Sequence, residues 1–360
     1  MISKKTNTVF LCLLCAILLG GFVALSFFPA DRYSATEKRY LADLPTTDTA
    51  SLFDGSYTAA LDTYATERLP FRAPLRQAYA AFRILSGSQE AGDVLLCRDG
   101  SLAKRITINE RLLFKNLKAI QQWKAQYGDA LTVAVAPCRI MMREEVLPAL
   151  YDTAENHRIW QTVAESCPYA VLFPELNRDD CWYRTDHHWT TKGAYLAYKS
   201  LGKALGYTPL AESAFEIETV CSTFYGTSHA AAGLPLIAAD SVQLYRSTSE
   251  KDCRVEIDGA SPAFSGFYDF EKLQSKDEYG IFFGGNHGVM TVEAQGERPR
   301  LLVIKDSFAN ALLPFLAEHY DLTVIDPRYT AKDLGGYIAQ ADRILLLCGM
   351  QTLCETAWIK

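Results

Sequence analysis

The chain has 360 residues, 49% of them hydrophobic and 22% charged, so a globular core of ordinary size is available. A formal net charge of -6, a pI near 5.6 and the lack of any basic stripe argue against nucleic acid as a partner. The length allows one large domain or two smaller ones, and no internal repeat is visible.

At the N-terminus, Val9 to Phe28 carries no charged residue and follows Lys4 and Lys5. A helix over this run is about 30 Å long, the thickness of a bilayer core. It reads as a single transmembrane signal-anchor. Residues 1–28 form the cytoplasmic tip and span, and everything after Pro29 lies outside the cytoplasm. The competing reading is a cleaved signal peptide ending near Ala24-Leu25-Ser26. A lipoprotein is disfavoured because Leu14 before Cys15 is too large for the usual processing site. Two of the ten cysteines, Cys12 and Cys15, lie in the apolar run. The others (Cys97, Cys138, Cys167, Cys181, Cys221, Cys253, Cys348 and Cys354) are even in number, which permits disulfides in an exported domain. No pair has zinc-site spacing, and no metal or cofactor is expected.

Residues 29–91 read as a helical lead-in. Ser34 and Glu37 have capping-box spacing. Asp54 to Leu85 is helically periodic through Tyr57, Leu61 and Tyr64 and then, past Pro70 and Pro74, through Leu75, Tyr79, Phe82 and Leu85. Residues 92–360 alternate apolar runs with helical stretches. Strands are expected at Leu131–Ala136, Ala170–Phe173, Leu301–Ile304, Leu322–Ile325 and Ile344–Leu347. Helices are expected at Asn109–Tyr127, Glu155–Glu165, Thr190–Leu205 (stopped by Gly206), Ala309–Glu318 and Leu334–Gln340. This alternation predicts a mostly parallel sheet covered on both faces. Cys221 to Gln295 is irregular and reads as a loop-rich insertion.

In such sheets chemistry collects beyond the carboxyl ends of the strands. There lie Ser307, Cys138-Arg139 and Asp326-Pro327-Arg328-Tyr329. The run Thr185-Asp186-His187-His188-Trp189-Thr190 supplies what a serine needs to become a nucleophile, a base and a carboxylate to hold it. His188 is the expected base and Asp186 its orienter, since i, i+2 spacing in an extended segment puts both on one side and turns His187 away. The amides opening the helix at Phe308 to Asn310 offer an oxyanion site. Gly285 and Asn286 of Gly284-Gly285-Asn286-His287-Gly288 offer a second one. Arg139, Arg328 and Trp189 are candidate substrate contacts, with surface ion pairs for the arginines and packing for the tryptophan as the plainer readings. A metal held by Asp186, His187 and His188, with His229 or His287, is the rival reading of the same run.

These motifs resemble the DHHW-motif protein family, which is similar to the SGNH-type alginate O-acetylation proteins. The resemblance rests on Thr185 to Thr190, on Lys305-Asp306-Ser307-Phe308-Ala309-Asn310 with Leu313-Pro314-Phe315-Leu316, on His319-Tyr320 and on Asp326 to Tyr329. Ser34 to Leu41 and the Gly284 to Gly288 loop extend it across nearly all of the expected exported part. It implies an SGNH-hydrolase-like three-layer α/β/α sandwich with Ser307, His188 and Asp186 as the catalytic triad. It also implies acetyl transfer onto an exported, cell-surface polysaccharide, with a multi-spanning membrane protein handing over the acyl group. Lys305-Asp306 stands where many alginate-type relatives have glycine followed by aspartate or threonine, and Cys138-Arg139 where they often have a lysine. With no nucleotide-binding glycine loop, a soluble acyl-CoA donor is not indicated. A non-catalytic cell-envelope binding or scaffold protein that keeps the fold is the alternative function.

Overall fold

The computed structural model describes residues 4–27, 32–34, 36–247, 250, 253–275 and 277–359, and within the first helix the side chains of 8–16 and 19–21. The chain divides into two compact units, residues 1–88 with 233–235, and residues 89–232 with 236–360.

The first unit opens with helix α1 (Lys4–Phe27). Its described apolar side chains, among them Val9, Phe10 and Leu11, are exposed. Among the described residues no helix is long and apolar enough to cross a membrane. Phe28 and Pro29, the end of the expected span and its flank, lie outside those residues. Ser34 Oγ does accept from the Glu37 amide at 3.2 Å, but in the turn of a short hairpin and not at a helix start. The periodic stretch from Asp54 splits into α2 (Ser56–Glu67) and α3 (Arg72–Leu85) around Pro70, which can neither donate nor let its predecessor stay helical. Glu37 ties α3 to the hairpin through Arg72 at 2.7 Å.

The second unit is built on a six-stranded sheet. Its strands are β1 (Leu131–Ala136), β2 (Arg254–Ile257), β3 (Val289–Glu293), β4 (Arg300–Lys305), β5 (Asp321–Ile325) and β6 (Arg343–Gly349). The spatial order is β1-β6-β4-β5-β3-β2, with β1, β6, β4 and β5 parallel and β3 and β2 added antiparallel. The parallel strands are the leucine-, isoleucine- and valine-rich runs, as burial on both faces requires. Alternate residues divide between two cores. Leu302, Ile304, Leu346 and Val133 pack with Leu117 and Ile120 of α4 (Glu110–Tyr127) and Ile159 of α5 (Ala154–Ser166). Leu301, Val303, Leu345 and Ala134 pack with Ala197, Leu201 and Leu205 of α6 (Thr191–Leu205). The result is a three-layer α/β/α arrangement.

Several elements differ from expectation. Ala170–Phe173 makes only a single parallel bridge, Val171 to Ala134, because Phe173 turns left-handed at φ 56° just before Pro174. The helix expected over Ala309–Glu318 is a 3-10 turn at Ser307–Ala309 and a short helix at Leu313–Leu316, interrupted where Pro314 lacks a donor. Leu334–Gln340 is helical only over Gly335–Ile338. The irregular stretch from Cys221 to Gln295 contains β2 and β3, which extend the sheet, and much of a hairpin of Glu216–Phe224 with Asp240–Arg246. Cys97, Cys138, Cys167, Cys181, Cys348 and Cys354 are buried without a disulfide.

Helix α6 positions what precedes it. Thr190 caps it, accepting from the Gly193 amide at 3.2 Å, and Gly206 ends it in the left-handed region at φ 86°. At Gly193 an added Cβ would sit 2.5 Å from the Cys181 carbonyl oxygen and 2.9 Å from Trp189 Cβ. Gly193→Ala should therefore destabilise the protein by about 1–3 kcal/mol, read from urea unfolding. Wild-type stability would contradict this backbone packing.

Candidate active site

The histidine run sits on a bend closed at its base by an antiparallel bridge between Trp182 and Trp189. Asp240, at the start of a hairpin strand, holds the bend. Its carboxylate accepts from the amides of Arg184 and Thr185, both at 2.8 Å, and from Thr185 Oγ1 at 2.5 Å. The next residue, Asp186, is 1% exposed. One carboxylate oxygen accepts from the His188 amide at 2.9 Å and meets His188 Nδ1 at 2.6 Å. The other accepts from the Thr227 amide at 2.6 Å and Thr227 Oγ1 at 3.0 Å. Burial alone would raise its pKa, but the two adjacent imidazoles and these donors hold it well below the usual carboxylate value. Gly226 lies so close that a Cβ there would overlap the Asp186 carboxylate.

A carboxylate has no proton to give, so His188 Nδ1 carries one and Nε2 is left as the acceptor. Nε2 lies 2.8 Å from Ser307 Oγ. The imidazole is fixed by Tyr279, stacked at 4.1 Å and 7°, and by the edge of Phe308 at 5.1 Å. Ser307 is half-buried just past β4. Asp306 holds the turn by accepting from Phe308 N at 3.0 Å and by tying the end of β6 through Gly349 N at 2.7 Å and Thr352 Oγ1 at 2.6 Å. The structure thus brings Ser307, His188 and Asp186 into one hydrogen-bonded line across 119 residues of sequence.

The expected oxyanion donors change. The amides of Phe308, Ala309 and Asn310 are occupied by the Asp306 side chain, the Asp306 carbonyl and the Ser307 carbonyl. The Gly285 amide donates to the Phe282 carbonyl at 3.1 Å, so it too is taken. Among the described residues the Ser307 amide and the Asn286 side-chain NH₂ have no protein partner.

A polar cavity of about 160 Å³ opens at the serine, lined by Lys104, His187, Ser307, Phe308, Arg328 and Thr352 among others. Arg328 is the one expected substrate contact that reaches it, held bidentate by Asp326 at 2.9 and 2.7 Å. Arg139 does not: it is buried on Asp99 at 3.0 Å and Ser101 at 2.7 Å. Trp189 does not either, being 0% exposed and packed edge-on against Phe173 and Phe308, where it holds up the site from beneath. His187 is not turned away. The segment bends instead of extending, so the rings of His187 and His188 lie 3.8 Å apart and His187 lines the cavity. The ligating atoms of Asp186, His187 and His188 lie within 4.8 Å of one another, as a metal site would need. They are engaged with each other, with Thr227 and with Ser307. His287 instead meets the Phe283 carbonyl at 2.7 Å, and the His229 ring lies tilted against Tyr225 at 4.6 Å. Sequence reasoning did not find Thr227, Asp240, Tyr279 or Lys104. The first three lie in or near the irregular stretch, with no periodicity to mark them.

The class is that of an α/β protein whose mostly parallel sheet carries, at one strand end, a serine hydrogen-bonded through a histidine to a buried aspartate. Residues 158–325 match the DHHW protein family, in agreement with the resemblance carried by the motifs. No curated protein is similar enough in sequence to match. Among solved structures, a DHHW family protein from Eubacterium siraeum is 19% identical, with TM-score 0.60 over 71% of this chain and 90% of that one. Bacillus cereus PatB1 is 19% identical, with TM-score 0.59 over 73% of this chain and 98% of its own. PatB1 is also known with a sulfonyl adduct. The O-acetyltransferase domain of Pseudomonas putida AlgJ matches more loosely, at 18% identity and TM-score 0.44 over 74% of this chain and 93% of its own. At these identities the likeness to the first two is one of fold.

Burial, helped by the neighbouring His188, pushes the His187 pKa down to about 3. A folded value below the unfolded one near 6.5 means that the stabilisation is complete above pH 6.5 and is lost as pH falls toward about 3. Unfolding free energies from urea melts should decline between pH 6.5 and 4.5, and the slope should be shallower in His187→Gln. Equal slopes would show that His187 is not held neutral.

Proposed function

We propose that the chain is an O-acyl (acetyl) transferase or esterase acting on cell-surface polysaccharide through Ser307, His188 and Asp186. The observation that carries this reading is the unbroken relay from the Asp186 carboxylate through both nitrogens of His188 to Ser307 Oγ. In the first half-reaction His188 Nε2 takes the serine proton as Oγ attacks the ester carbonyl, and the imidazolium then protonates the departing alcohol. The acyl group is left on Ser307. In the second half, His188 deprotonates a sugar hydroxyl or water, which attacks the acyl-enzyme and regenerates the serine. Asp186 keeps the imidazole in one tautomer and stabilises its charge throughout. The Ser307 amide and the Asn286 side chain are the donors for the tetrahedral oxyanion. Arg328 and Lys104, at the cavity wall, face the hydroxyl-rich acceptor. This chemistry sits on the SGNH-like arrangement that the resemblance implies.

The substrate lies outside the cytoplasm in this reading. The uncharged run from Val9 to Phe28 is the anchor, and Lys4 and Lys5 keep its start inside. The acyl group then comes from a multi-spanning membrane partner, since no acyl-CoA is present on that side.

Ser307→Ala and His188→Ala should each abolish ester turnover in a folded protein, losing nearly the whole nucleophilic contribution because the two act as a unit. Asp186→Asn should be milder but severe, through loss of the tautomer. A sulfonyl fluoride should label wild type and not Ser307→Ala. A non-catalytic scaffold would not be labelled at all, and inhibition by a chelator with equal losses at His187 and His188 would favour the metal reading.

A reporter fused after Lys360 should be active only if it is of the kind that works outside the cytoplasm. A cytoplasmic reporter signal would overturn the localisation and with it the surface-glycan substrate.

A further inference from the structure

The chemistry above makes no use of Lys305, a buried ammonium two residues before the proposed nucleophile and 2% exposed. Its Nζ donates to Asn310 Oδ1 at 2.6 Å and Asn286 Oδ1 at 2.9 Å, and faces Asp326 at 3.6 Å. An ammonium has three donors and no acceptor, so the atom each asparagine turns toward it is the carbonyl oxygen. Asn310 Nδ2 then donates to the same Asn286 oxygen at 3.1 Å, filling both of its lone pairs. The Asn286 NH₂ is thereby turned away from Lys305. Among the described residues it meets no protein acceptor, and it keeps contact with solvent.

We propose that Lys305 is a positioning residue for the oxyanion, locking the Asn286 amide with its NH₂ outward and strengthening it as a donor before substrate arrives. A cationic donor on an amide oxygen draws electron density from the nitrogen, so the NH₂ becomes the better donor. A donor fixed in advance costs no reorganisation when charge develops. The inference rests on the acyl-enzyme reading of Ser307. It also gives a reason for lysine at the end of β4, where an apolar residue would be cheaper to bury. Asp326, Arg328, Asp306 and His287 are the charged and titratable groups that act on the ammonium. Burial, opposed by Asp326 and assisted by Arg328, brings its pKa down to about 8.

The test measures ester turnover by the full chain and by Ser307→Ala, Asn286→Ala, Lys305→Met and the Asn286→Ala/Lys305→Met double variant. Ser307→Ala should be inactive. Asn286→Ala and Lys305→Met should each lower kcat on the order of a hundredfold with KM nearly unchanged. The double variant should be no worse than Asn286→Ala alone, because the lysine acts through the asparagine. Wild-type kcat should fall above about pH 8 as the ammonium loses its proton, and Asn286→Ala should lack that limb. Independent, multiplying losses in the double variant would overturn the proposal, as would full kcat in a folded Lys305→Met. Should Lys305→Met not fold, persistence of the alkaline limb in Asn286→Ala would overturn it. Activity in Ser307→Ala would instead sink the underlying acyl-enzyme reading.

Discussion

A buried carboxylate must be paired and hydrogen-bonded or it will not remain charged, and the Asp186 environment is organised around that constraint. Four donors meet its two oxygens: the amide and Nδ1 of His188, and the amide and hydroxyl of Thr227. Satisfying them fixes the rotation of the imidazole and its tautomer. It also fixes the approach of the Thr227 turn, which in turn demands glycine at 226. Remove the carboxylate and the imidazole loses its orientation. Remove Thr227 and the carboxylate keeps an unpaired oxygen in a place that water does not fill easily.

A second carboxylate, Asp306, plays the same part on the serine side. It takes the amides of Phe308 and Gly349 and the hydroxyl of Thr352, binding the ends of β4 and β6 together directly behind Ser307. The price is that the turn's amides are no longer open to a ligand. A strand-to-helix turn is commonly an anion site because its amides are open. Here the chain has closed most of them internally, since the amides of Phe308, Ala309 and Asn310 donate to the Asp306 side chain, the Asp306 carbonyl and the Ser307 carbonyl. In the buried cluster nearby, the Lys305 ammonium meets the side-chain oxygens of both Asn286 and Asn310, so it sets which way each amide faces.

Packing completes the site. Tyr279 and Phe308 flank the imidazole with aromatic surface, and Trp189 packs in turn against Phe308. Such surroundings lower the local dielectric, which strengthens each hydrogen bond in the relay and raises the cost of misplacing any of them. Burial of the same kind drives His187 toward its neutral form, so two adjacent imidazoles coexist beside one carboxylate without mutual repulsion.

Wherever the controlling interactions are local, the sequence alone determined the outcome. The apolar runs at Leu131–Ala136 and Leu301–Ile304 could only be strands buried on both faces. Thr190 and Gly206 bound a helix through their own backbone and side-chain chemistry. Ser307 falls at a strand end, and Asp186 and His188 stand two residues apart, whatever the rest of the chain does. Tertiary structure alone decided which backbone donors remain free, that the His187–His188 segment bends instead of extending, and that Arg139 and Trp189 are sealed while Arg328 is not. Those outcomes depend on partners such as Asp240 and Thr227, tens of residues away, whose approach leaves no periodic trace. The competition for a hydrogen bond is settled by which group arrives in space, and one-dimensional spacing carries no record of that.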